Sequence, residues 1–138
     1  MSELKVNAAL VSAYLATGII PQARTAFEGV TFEPKAGQTW ARLTNLISYR
    51  EKVGMASGDS SEVSGILQID LRYPKGVGTG PMLADADTLM RLFDPPKSLI
   101  YQGQKVKIRR VQRRAISVED IWQTVSVDVY YWANIVQP

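Results

Sequence analysis

The chain has 138 residues, 46% hydrophobic and 21% charged, with 16 Lys and Arg against 13 Asp and Glu for a net charge of +3. That length suits one domain burying roughly two-thirds of its unfolded surface, and the scattered charge argues against wholesale disorder. The absence of cysteine and histidine excludes thiol nucleophiles, disulfides, Cys/His zinc sites and the commonest general base.

In chain order, residues 3–17 are predicted as an amphipathic helix with Leu4, Ala8, Val11 and Leu15 on one face. Ser2 serves as its N-cap, and Gly18 sits where a left-handed residue ends a helix. Residues 19–39 hold two prolines and two glycines without a sustained period, so they read as a traversing loop with a short strand near Phe32. A strand follows around Trp40 to Tyr49. The polar, small-residue segment 50–62 is expected to be a mobile connection, ordered only on assembly. After it, Val63, Gly65, Leu67, Ile69, Leu71 and Tyr73 alternate with Ser64, Gln68, Asp70 and Arg72 in the clearest strand of the chain. Ile66 alone breaks the alternation.

Next comes YPKGVGTGPML, residues 73–83, which invites comparison with a phosphate-binding loop. A P-loop places its lysine after the glycines, but Lys75 precedes Gly76, Gly78 and Gly80. A dinucleotide fingerprint opens directly into a helix, where this chain has Pro81. Pro74, Gly76, Gly78 and Gly80 therefore read as a structural turn rather than a ligand cradle, and no cofactor is expected. The turn leads to a helix on which Leu83, Ala86, Leu89, Met90 and Phe93 share a face, stopped by Pro95 and Pro96. Two long antiparallel strands complete the chain, Leu99 to Val111 and Ile121 to Val136, joined by QRRAISVED; Val125, Val127, Val129 and Tyr131 form the core face of the last. The expected fold is a single α+β domain over residues 1–138, with two helices on one face of a largely antiparallel sheet of four to five strands.

The densest charge is Lys105, Lys107, Arg109, Arg110, Arg113 and Arg114. On a strand, Lys105, Lys107 and Arg109 project from one face while the turn carries the remaining arginines. Three roles fit: a solvated face, a protein interface, or phosphate contacts without a reading motif. Trp122, Tyr130 and Trp132 share the side of the last strand opposite the valines, where cover by a helix or another subunit fits better than base stacking. Asp70 with Asp85 or Asp87 is the best carboxylate pair available, but no nucleophile or metal-ligand spacing accompanies it, and no catalytic or metal role is assigned.

The run GILQIDLRYPKGVGTGPMLADADTLMRLF resembles the core pattern of the bacteriophage tail terminator-like family. The pattern is a G-apolar-apolar-Q-apolar-D-apolar strand, an aromatic-Pro-x-G-x-G turn, and a helix with Ala-Asp that ends in apolar-Phe. Here those positions are Gly65 to Leu71, then Tyr73, Pro74, Gly76 and Gly78, then Ala84 with Asp85, and Leu92 with Phe93. Phe32-Glu33-Pro34 with Trp40-Ala41-Arg42 resembles the family's first strand entry, and LIYQGQKVKI with TVSVDVYYW its closing hairpin.

The resemblance implies a virion structural protein and no enzyme: a homo-hexameric ring, assembled in the host cytoplasm, at the head-tail junction. It implies contact with the last ring of tail tube protein, an end to tube polymerisation, and a surface for the head-completion or neck protein. Genomic DNA would pass through the lumen without specific binding; independently of the resemblance, no apolar run approaches the ~18 residues a membrane span requires, so no membrane partner is expected. The basic and aromatic residues above are then candidates for the subunit or partner interface. Another neck protein of the same connector and a small basic nucleic-acid-binding module are the alternative readings.

Overall fold

The computed structural model describes residues 2–52 and 60–136. The order is α1 (Glu3–Ala16), β1 (Thr25–Ala26), β2 (Trp40–Lys52), β3 (Ser60–Pro74), α2 (Gly80–Leu92), β4 (Lys97–Tyr101), β5 (Gln104–Arg113), β6 (Ser117–Glu119) and β7 (Trp122–Val136). The sheet runs β1-β2-β3-β7-β5-β4, with β6 paired to β7.

β3 and β7 form its centre because their apolar residues alternate in matching phase. The register sets Leu71 against Val125, Ile69 against Val127, Leu67 against Val129 and Gly65 against Tyr131. These side chains are buried on one face, where Met82, Ala86, Leu89 and Phe93 from α2 and its end, and Leu10 and Tyr14 from α1, close the main core. Each such Leu, Ile or Val contributes about 1.5–3 kcal/mol over its exposed state.

The sheet is larger than the four to five strands expected, and mixed. Seven strands are present among the described residues. The predicted strand 99–111 is two, β4 and β5, folded back at Gln102 and Gly103, whose φ values of 47° and 83° make the tight turn. The turn region 112–120 holds β6. No strand forms at Phe32; instead Thr25 and Ala26 pair in parallel with Ala41 and Arg42. The connection expected at 50–62 is shortened from both sides by β2 and β3, and its residues 53–59 lie outside the described residues.

The helix α1 begins where expected, Ser2 Oγ accepting from Lys5 N–H at 3.2 Å, but its inward face differs. Val6, Ala9, Leu10 and Tyr14 are buried, and Leu4 is 77% exposed. The helix carries apolar residues nearly all round, so spacing alone selects no face, and packing against β4 and β5 decides. α2 starts at Gly80, three residues before the predicted Leu83, with Pro81 in its first turn where a missing N–H costs nothing.

Candidate assembly interface

No helix covers the second face of the sheet, and most of the sequence-selected residues lie there. At one end of that face, Trp40 and Trp122 meet edge to face with ring centres 6.0 Å apart, and Phe32 lies 5.2 Å from Trp40. Together with Ala26 they form a small second core under the 27–39 loop. The guanidinium of Arg72 stacks 5.2 Å from the Trp40 ring and reaches Glu119 at 3.5 Å.

The middle of the face is polar and closed. Arg114 donates to both Asp128 oxygens, from Nε at 2.8 Å and Nη2 at 3.1 Å, and to Gln68 Oε1 at 2.9 Å. Ser126 Oγ and Gln68 Nε2 donate to Asp70 at 2.5 and 3.1 Å. Asp70 and Asp128 are both buried. The hydrogen bond from Arg114 to Asp128, the charge of Asp128 and that of Asp70 raise the guanidinium above its ordinary value. This network escaped the sequence reading. Its signal was present in the equal spacing of Gln68, Asp70 and Arg72 on β3 and Ser126 and Asp128 on β7, but only the register opposes them.

At the far end, aromatic rings carry cations. Arg110 lies 4.1 Å over Tyr130, while Lys107 and Arg109 lie 5.2 and 5.6 Å from the Trp132 ring. Arg109 also bonds Glu62 at 3.0 Å. Lys105 is exposed, and the Arg113 guanidinium donates to Arg114 O at 3.2 Å.

Two groupings expected from alternation do not hold. A bulge in β5 lets Ile108 oppose Tyr131 and Arg110 oppose Tyr130. Arg109 is the inserted residue, so Arg110, not Arg109, continues the Lys105 and Lys107 row. Trp122 shares the face with Tyr130 and Trp132 but is buried with Trp40 at the opposite end. The candidate carboxylate pair is also separated. Asp70 lies on this open face, whereas Asp85 and Asp87 are on α2, behind the sheet. Burial raises the Asp85 carboxyl above its ordinary value, and the Tyr73 hydroxyl donates to it.

In the glycine-rich turn, Gly76 and Gly78 have φ of 96° and 82°, and Gly80 opens α2. Pro74 ends β3 opposite Trp122. Lys75 N–H donates to Ile121 O at 2.9 Å and Gln123 Nε2 to Gly78 O at 2.5 Å, so the turn is tied to the β6–β7 hairpin. Among the described residues no cluster of three His, Cys, Asp or Glu is placed to hold a metal.

A family model described as phage tail terminator protein matches residues 5–131. No curated protein matches the chain. A solved structure covers 100% of this chain and 99% of its own at a TM-score of 0.76 and 20% sequence identity, a likeness that speaks for the fold alone.

Proposed function

Since the chain belongs to the phage tail terminator family, we propose that it forms a homo-hexameric ring that caps the tail tube, ends tube polymerisation and offers a joining surface to the head. Membership itself makes it a structural protein of the phage tail, in the virion, rather than an enzyme. The ring assembles in the host cytoplasm. Tail tube protein meets one side of the ring and a head-completion or neck protein the other, and genomic DNA passes through the lumen without specific binding. No described helix is long and apolar enough to cross a membrane.

The observation that carries this reading is the open sheet face. The same face carries Tyr130, Trp132, Lys107, Arg109 and Arg110, the aromatic and arginine composition enriched in protein interfaces. A ring closes such surfaces by one contact repeated around an axis.

Capping is tested with purified protein and growing tubes of tail tube protein. Six-fold density at one tube end, with no growth when further tube subunits are added, is the expected outcome. Tubes that elongate at the normal rate in excess protein contradict it.

A further inference from the structure

One surface of this chain supplies the groups that another lacks. At the Trp122 end of β7, the glycine-rich turn and the β6–β7 hairpin are tied by the Lys75–Ile121 and Gln123–Gly78 hydrogen bonds. The surface they share exposes Val77, Val118 and Ile121. Glu119 and Asp120 form its tip. The Glu119 side chain is 64% exposed despite its contact with Arg72, and Asp120 has no ion-pair partner among the described residues.

Farther along β7 lies the opposite arrangement. Lys107 and Arg110 rest on Trp132 and Tyr130 with no carboxylate partner among the described residues. Leu46 and Ile66 continue the Tyr130 row across the sheet, and Leu46 is exposed. Lys107 and Arg110 are exposed, and a cation held over an aromatic ring is placed to meet an approaching carboxylate, while the aliphatics beside it favour an apolar one.

We propose that these surfaces meet between copies of the chain: the Val118–Ile121 tip of one subunit seats on the Tyr130 and Trp132 face of the next. Glu119 and Asp120 meet Lys107 and Arg110, and Val118 and Ile121 pack against Leu46 and Ile66. The proposal rests on the ring reading and names its contact. A second copy is the occupant because the tip brings two carboxylates flanked by aliphatics to a face with two unmatched cations flanked by aliphatics. The surfaces are different, so the contact is heterologous and repeats head to tail. They are separated by roughly 26 Å of strand between Trp122 and Tyr130. β7 therefore runs around the ring, not along its axis.

Charge exchange tests this. Four proteins are compared for ring formation at tube ends: wild type, Lys107→Glu with Arg110→Glu, Glu119→Lys with Asp120→Asn, and all four changes together. Asn is chosen at 120 because the backbone there has φ of 55°, which Asn tolerates. Each pair alone is expected to weaken assembly about tenfold or more, and the combination to recover most of it. Should Glu119→Lys prevent folding, Val118→Ser with Ile121→Ser disturbs the same tip and is expected to weaken assembly likewise.

Rings in every variant as in wild type overturn the contact while leaving the ring standing. A combined protein no better than either pair does the same. Rings that persist while Lys107→Glu with Arg110→Glu abolishes salt-sensitive DNA binding reassign the face to nucleic acid. Absence of rings in wild type overturns the ring reading, and this contact with it.

Discussion

Tyr131 lies directly across the sheet from Gly65, and its ring occupies the space a side chain at residue 65 would need. A Cβ there would fall 2.6 Å from the Tyr131 hydroxyl oxygen, 2.9 Å from its Cζ and 2.7 Å from Leu46 O. Gly65→Ala therefore forces the strand or the ring to move. The expected loss is about 1–3 kcal/mol, read as a lower urea midpoint at unchanged slope. Adding Tyr131→Phe removes only the nearest atom, so the double variant recovers part of the loss and no more.

Tyr131 also sets an alkaline limit. Burial pushes its phenol up to about 12 from an ordinary 10.0, opposed in part by the hydrogen bond it gives Asn45. Burial raises Tyr14 as well, against its bond with Thr25. A group whose folded pKa is raised stabilises fully below the unfolded value and loses that contribution as pH climbs through the folded one. Stability is thus expected to fall between about pH 10 and 12. Tyr131→Phe costs about 1 kcal/mol at pH 7, through the lost hydrogen bond, but shows a shallower fall over that window. Urea midpoints from pH 8 to 12 read both effects.

Adjacent arginines differ sharply in what they support. Arg114 satisfies the buried Asp128, whose side chain is 5% exposed, so Arg114→Gln leaves a carboxylate under-paired and costs about 1–3 kcal/mol. Arg113 bonds only a neighbouring carbonyl among the described residues, and Arg113→Gln stays within about 0.5 kcal/mol. Equal effects in thermal melts contradict the network.

The glycines of the turn are likewise unequal. Nothing stands within 4 Å of a Cβ at Gly76, Gly78 or Gly80, yet only the first two have positive φ. Gly76→Ala and Gly78→Ala are expected to cost about 1–2 kcal/mol each from backbone strain. Gly80→Ala, in the first turn of α2, is neutral or stabilising by up to about 1 kcal/mol. ATP, GTP and NAD leave the melting temperature unchanged if the turn is structural; a saturable rise with ligand concentration contradicts that.

How much of this was legible in the sequence follows from where the information resides. β3 and the core face of β7 could be read from period-two alternation because only one face of the sheet is covered by helices, and Ile66 breaks the pattern on the open face. The α2 face was nearly complete for the same reason. The inward stripe of α1 was not, since its apolar residues leave no single direction. The Gln102–Gly103 turn was hidden within a run that alternates on both sides of it. The bulge at Arg109 shifts every later side chain of β5, and no residue type announces it. Trp122 with Trp40, and Arg114 with Asp128, meet only through long-range register. The candidate site was therefore legible as a set of residues, and not as the rows they form.

The account's central claim is tested most directly by the length of tails made without this protein. Electron microscopy of lysates from phage lacking the gene should show tubes grown past their normal length and unjoined to heads, restored by supplying the protein in trans. Tails of normal length carrying heads, in the protein's absence, would contradict the claim that it ends the tube.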